Sequence, residues 1–237
     1  MIFTGLPGSG KTTCGALLGE TLGLPFFDTD ELIESSECRT IKDIFATEGE
    51  AHFRLLERET LRLLELEVSR LVVNGSADTT VQNVPKSYDD SNEDSKSNRS
   101  DRQEPVSAQL AARIKSEVSN AFQSKGMVIA VGGGVPEPEA NREALKRLGT
   151  VVYLATEPLE IAARLPDDGL RPLLTAKSSE AKGGGHERSN MVSKLKGLLD
   201  RRRQAYESAD IKIDTTGLSP HQIVTVLQEQ LKTQLMI

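Results

Sequence analysis

Apolar positions along this chain fall into two patterns: short uninterrupted runs of strand length, and longer stretches where they recur at the spacing of one helix face. Ile2-Phe3, Leu24 to Phe27, Met127 to Val131, Val151 to Leu154 and Ile211 to Asp214 are of the first kind and predict strands. Helical patterns lie between them. Lys11 to Leu22 places Leu17, Leu18 and Leu22 at helical spacing and stops at Gly23, a C-cap signal. A short helix is predicted at ELIESSE, a capping-box-like start at Thr40-Ile41-Lys42-Asp43, and a long helix from near Glu48 with Phe53, Leu56, Leu64 and Leu71 as its apolar stripe. Pro138 to Leu148 (closed by Gly149), Glu157 to Arg164, Met191 to Ser208 and Pro220 to Leu231 predict the later helices. Glycine-rich or acidic clusters follow the strand-length runs, as expected at the carboxyl edge of a parallel α/β sheet covered on both faces.

Two stretches break the pattern. Residues 76–105 are rich in Ser, Asp, Asn and charges of both signs and nearly lack apolar residues, so they predict a disordered insertion. Residues 106–125 recover a helical period through Leu110, Ile114, Val118 and Phe122, and are read with the preceding stretch as an insertion on a surface loop. Such an insertion is regulatory or merely tolerated, the second being favoured because long loops cost little closure entropy. Residues 165–190 include the polar, glycine-rich TAKSSEAKGGGHERSN, the composition of a flexible flap over a site.

Composition narrows the classes. The 237 residues, 37% hydrophobic and 27% charged, suit one globular domain with insertions spanning 1–237. A net charge of −6 argues against a nucleic-acid surface but not against an anionic substrate met by a local arginine cluster. No apolar run is long enough to span a membrane. The N-terminus opens on the first strand without a visible targeting segment, so a cytoplasmic protein is expected, or a plastid one if a transit peptide has been removed. Cys14 and Cys38 lack metal-ligand spacing and read as packing thiols in a reduced compartment.

The chemistry begins at Gly5-Leu-Pro-Gly8-Ser9-Gly10-Lys11-Thr12, which fits G-x-x-x-x-G-K-[ST] between a strand and a helix, the context this phosphate-binding loop requires. Glycines let backbone N–H groups converge on phosphate oxygens at the positive end of a helix dipole. Lys11 supplies a point charge for the β and γ phosphates, and the Thr12 hydroxyl a ligand for Mg²⁺. Asp28-Thr29-Asp30 stands at the second strand's end, where one acid can face the metal's water shell and the other a second substrate; alternatively Asp30 simply caps the next helix. Arg54 and Glu57, spaced i,i+3, read in isolation as a solvated pair. Gly132-Gly133-Gly134 at a strand's carboxyl end makes little sense for packing and good sense for a ligand lying against backbone. Arg201-Arg202-Arg203 alone reads as a basic helix end. His52, His186 and His221 have no partner at motif spacing and receive no role.

Together GLPGSGKTT, FFDTDELIE, IFATEGEAHFRLLE, VIAVGGG, RPLL, and RRRQAY followed by IDTT resemble the shikimate kinases in content, order and spacing, over nearly the whole chain outside two insertions. Many nucleotide kinases share the first motif; D-T-D followed by F-R-x-x-E and G-G-G belongs to this family. The resemblance implies a three-layer P-loop kinase with a five-stranded parallel sheet in the nucleoside-monophosphate-kinase-like order 2-3-1-4-5, helices on both faces and a mobile lid. It implies a monomer that transfers the γ-phosphoryl of ATP, with Mg²⁺, to the 3-hydroxyl of shikimate. ATP would be held by Gly8, Ser9, Gly10, Lys11, Thr12 and Thr13, with Arg164 over the adenine and the lid's Arg171 on the phosphates. Thr12 and a water-linked Asp28 would hold the metal, and Lys11, Asp30 and Arg171 would be catalytic. Shikimate would contact Asp30, Arg54, Gly132, Gly133, Gly134 and Arg202; spacing to Tyr206 selects Arg202, for which Arg201 or Arg203 could substitute. The chain departs from the family pattern in a longer lid and in Gly217-Leu218-Ser219, where some members carry an arginine or glutamine that touches the base. Alternative readings are a catalytically silent regulatory or binding relative, or a kinase of another small hydroxy acid such as gluconate.

Overall fold

The computed structural model describes residues 1–75, 108–123, 126–165 and 184–235. The predicted insertion at 76–105, Arg171 and most of the predicted lid lie outside the described residues. Five strands, β1 (Ile2–Thr4), β2 (Phe26–Asp28), β3 (Val128–Ala130), β4 (Val151–Ala155) and β5 (Ile211–Asp214), form an all-parallel sheet in the order β2-β3-β1-β4-β5. Ile2 pairs with Ile129 on one side and Val151 on the other, so β1 lies at the centre. Edge strand β5 alternates buried Ile211 and Ile213 with exposed Lys212 and Asp214, whereas central β1 is buried throughout.

The side-chain alternation of the strands divides the core. Ile2, Ile129 and Val151 face one way, toward α4 (Gly49–Gly75), α5 (Ala108–Gln123) and α6 (Glu139–Leu148). Phe3, Val128, Val152, Ile211 and Ile213 face the other way, toward α1 (Lys11–Leu22) and α9 (Pro220–Leu235). A third cluster joins Leu6 and Tyr153 to α7 (Pro158–Arg164) and α8 (Gly184–Glu207) through Ile161, Leu195, Leu198 and Tyr206. A fourth unites α2 (Thr29–Glu37), α3 (Ile41–Thr47) and the start of α4 around Ile33, Ile44, Phe53 and Leu56.

Several expectations change. Helix α5 is no surface insertion: Leu110, Ile114, Val118 and Ala121 are fully buried against Leu61 and Leu64 of α4. Its apolar stripe follows a strongly polar stretch of sequence, which is why the sequence reads the two as one unit. In α1 the inner face is Cys14, Gly15, Leu18 and Gly19, while Leu22 is 43% exposed. Helix α8 begins at Gly184, inside the stretch predicted to be part of the flap. Thr40 caps α3 as predicted, accepting from the Asp43 N–H at 3.2 Å. No helix among the described residues is long and apolar enough to cross a membrane.

Candidate active site

The carboxyl ends of the strands open into one cavity of about 890 Å³. Sheet order sorts its lining. The P-loop after central β1 occupies the middle, the ends of β2 and β3 bring Asp28, Asp30 and the glycine triplet to one side, and α7 with the loop after β5 brings Arg164 and Leu218 to Pro220 to the other.

In the middle, Gly10 is the N-cap of α1 at φ +92°, a conformation open to glycine at little cost, and no side chain caps the helix. The first helical amides are thereby left to an anion. Lys11 donates from Nζ to the carbonyls of Gly5 and Leu6 at 3.1 and 3.0 Å, so its charge lies over the loop. Ser9 is buried, and its hydroxyl has no partner among the described residues. Thr12 and Thr13 stand at the exposed opening of α1 and line the cavity.

Thr12 Oγ1 donates to Asp28 Oδ2 at 2.6 Å, while Asp28 Oδ1 accepts the Asp30 N–H at 2.9 Å and so caps α2. The capping acid is therefore Asp28, which leaves Asp30 available for chemistry. Asp30 Oδ1 is buried without a partner among the described residues. Burial, reinforced by the charges of Asp28 and Glu57 and opposed by Lys11, pushes its carboxyl up to about 7. A carboxyl poised near neutrality beside a phosphate loop suits the handling of a hydroxyl proton.

Two guanidinium groups complete that side. Arg54, in the second turn of α4, donates to Glu57 at 2.6 Å and Glu50 at 2.8 Å. The solvated-pair reading fails, because Glu57 is only 2% exposed and burial raises its pKa against the pull of Arg54. Arg202 on α8 is 3% exposed and donates from Nε to Glu137 at 2.7 Å, while its NH1 is buried with no partner among the described residues. Arg201 and Arg203 point outward, Arg203 pairing with Asp200 at 3.2 Å, so the fold selects Arg202 from the three. Side-chain direction along one helix turn decides this.

The glycine triplet has a packing reason that its sequence conceals. A Cβ at Gly132 would lie 2.7 Å from both Asp30 Oδ1 and Glu57 Oε1; one at Gly133 would lie 3.3 Å from Arg202 NH1; one at Gly134 would overlap the Arg54 guanidinium. The backbone is stripped so that these side chains can converge on it. Tyr206, fully buried and stacked on Tyr153 at 5.0 Å between ring centroids, donates its hydroxyl to the Gly133 carbonyl at 2.6 Å. Sequence reasoning used Tyr206 only as a spacing marker, although its position one turn after Arg202 was the available signal. Glu137 carries no such signal: its partner is 65 residues away.

At the far end Arg164 pairs with Glu160 and, like Leu218 and Pro220, lines the cavity. Oxygen donors suited to a hard cation meet at Thr12 and Asp28, next to the phosphate loop, so these residues fit Mg²⁺ shared with bound phosphates.

Comparison with known proteins points to one family. The family model for shikimate kinase matches residues 7–79 and 109–232, passing over the polar stretch and including α5. A shikimate kinase of Bacillus mycoides is 32% identical over 229 residues, covering 97% of this chain and 96% of its own. One of Persephonella marina is 31% identical, covering 94% and 92%. Among solved structures, the shikimate kinase of Acinetobacter baumannii in complex with shikimate superposes with a TM-score of 0.64 at 28% identity, covering 98% of this chain and 93% of that one. A match that runs from the P-loop to the last helix, over nearly the full length of these relatives, shows that the chain belongs to the shikimate kinase family.

Proposed function

We propose that this chain transfers the γ-phosphoryl group of ATP to the 3-hydroxyl of shikimate, giving shikimate 3-phosphate and ADP. The observation that carries the reading is the buried, unpartnered NH1 of Arg202, set with Arg54 and a near-neutral Asp30 around a glycine wall beside the P-loop. Two guanidinium forks with a general base between them suit an acceptor that carries both a carboxylate and a hydroxyl. Arg54 and Arg202 bind the carboxylate, the backbone of Gly132, Gly133 and Gly134 lies against the ring, and Asp30 orients the hydroxyl and takes its proton. The hydroxyl oxygen forms its bond to the γ phosphorus as the bridging P–O bond breaks and ADP leaves with the electron pair.

The amides of Gly8 to Thr13 cradle the phosphates, and Lys11 leaves the Gly5 and Leu6 carbonyls for the β and γ oxygens. Thr12, with Asp28 through water, would hold Mg²⁺, which would supply neutralisation of the phosphate charge. Arg164 covers the base; Arg171, outside the described residues, is the family's candidate for the phosphates. We further propose a cytoplasmic monomer, consistent with free thiols at Cys14 and Cys38.

ADP release, coupled to a spectroscopic readout, tests the reaction with shikimate, gluconate or no acceptor. Turnover is expected with shikimate alone. Turnover with gluconate in its place would overturn the acceptor, and silence with both would favour a binding or regulatory protein.

A further inference from the structure

The base end of the cavity has walls from two separate elements, the last turn of α7 and the loop between β5 and α9. The loop is shaped by its own hydrogen bonds. The Thr216 N–H donates to Asp214 Oδ1 at 3.0 Å, the Leu218 N–H donates to the Thr215 carbonyl at 3.1 Å, and Ser219 with Gln222 closes a capping box at the start of α9. Gly217 within this loop has φ +72°, and a Cβ there would meet nothing within 4 Å, so the backbone conformation rather than space calls for glycine. In that conformation the Gly217 N–H reaches α7, where Glu160 accepts it at 3.2 Å on Oε1 and 3.0 Å on Oε2. Glu160 Oε1 also accepts from the Arg164 guanidinium one turn further along the helix.

We propose that Glu160 is a positioning residue for the nucleobase, its single carboxylate tying Arg164 to the Gly217 turn and so setting the gap in which the base is held. The inference rests on the ATP reading above and goes beyond it. A guanidinium stacks well on an aromatic face only when its plane lies parallel to that face. An untethered arginine samples many rotamers and loses that freedom when a ligand binds. With Glu160 holding both groups, Arg164 is ordered before the nucleotide arrives, and the apolar wall of Leu218 and Pro220 is kept in register with it. An acidic residue in the first turn of α7 also favours the helix dipole, but that role calls for neither of these two partners.

The test separates the base from the phosphates. Calorimetric titration of the full chain uses two probes: ADP, which carries the base, and inorganic tripolyphosphate, which does not. Glu160→Ala is expected to weaken ADP by about three- to tenfold, the worth of ordering one long side chain. Tripolyphosphate affinity and shikimate affinity should stay unchanged. Glu160→Gln, which keeps an acceptor for the Gly217 N–H without the charge, should fall between. In an Arg164→Ala background the effect of Glu160→Ala should shrink, because one tethered wall is already gone. Equal weakening of both probes would assign Glu160 to the phosphate site or to general folding, and unchanged ADP affinity would leave it no role in binding; either result overturns the inference. ADP binding with the expected Glu160 dependence, but no phosphorylation of shikimate, would instead overturn the proposed reaction and leave this inference standing.

Discussion

At the scale of single residues, the division of labour among arginines is open to direct measurement. Arg202 is buried with one nitrogen unpartnered among the described residues, so replacing it by lysine keeps charge but removes the second parallel donor of a fork. A hydrogen bond of this charged kind contributes about 1.5 to 3 kcal/mol, and losing most of it should lower kcat/KM for shikimate about ten- to a hundredfold. Nucleotide affinity should hold, because Arg202 stands on the β3 side of the P-loop. Titration of an ATP analogue and of shikimate against Arg202→Lys checks this; equal losses for both would mean that the cavity's two halves are misassigned. Asp30 offers a test of pH dependence in the protein free of metal and nucleotide. Its folded pKa, about 7, lies above the ordinary carboxyl value, so the protonated form favours the fold. That contribution is complete below the unfolded value and is lost as pH rises through about 7. Asp30→Asn cannot ionise, and its melting temperature relative to the parent should therefore climb between about pH 5 and pH 8. A difference that did not change with pH would show the carboxylate to be solvated or paired. The same variant should lose about two to four orders of magnitude in turnover, the usual worth of a positioned base.

At the scale of elements, α5 and the polar stretch before it should behave oppositely. Ile114 is fully buried in the core cluster that α5 shares with α4, and Ile114→Ala is expected to destabilise the fold by about 2 to 5 kcal/mol in urea unfolding. A loss under about 1 kcal/mol would mean that the helix is a loosely attached appendage. Deleting residues 78–104 should leave folding and turnover intact, since that segment has no apolar stripe and the family match resumes only at 109. Insoluble expression, or a fall in turnover of about tenfold or more, would reveal a packing or regulatory role.

At the scale of the whole molecule, sheet order is what makes a transferase of these parts. With β1 central, Asp28, Asp30 and the glycine triplet gather on the β2–β3 side of the cavity and Arg164 with Leu218 to Pro220 on the β4–β5 side, with the P-loop between them. Ligands held by several elements at once should stabilise the entire fold by mass action. ADP at a hundred times its dissociation constant should add about 2.7 kcal/mol to the unfolding free energy, read as a rise in melting temperature. Shikimate should add its own increment when both are present. A nucleotide that bound but left melting unchanged would have to bind the unfolded chain equally well.

Local chemistry was legible along the chain because it depends on near neighbours: the P-loop between strand and helix, Gly23 and Gly149 ending their helices, Thr40 starting another, and the acidic and glycine clusters at strand ends. That the sheet is parallel followed from the clusters at the strands' carboxyl ends, and the strand order from the family resemblance those motifs carry. Burial depends on partners that arrive from far along the chain, and there the sequence fell silent. It did not show that Glu57 is sealed from solvent, that Asp28 rather than Asp30 caps α2, or that α5 completes the core. Spacing to Tyr206 favoured Arg202 over Arg201 and Arg203 without excluding them; packing turns only Arg202 inward. Tyr206 and Gly133 stand 73 residues apart, and their hydrogen bond exists only because α8 returns across the end of β3. Desolvation then sets the chemistry: the fold buries the Asp30 carboxyl near the like charges of Asp28 and Glu57, which together raise its pKa to about 7.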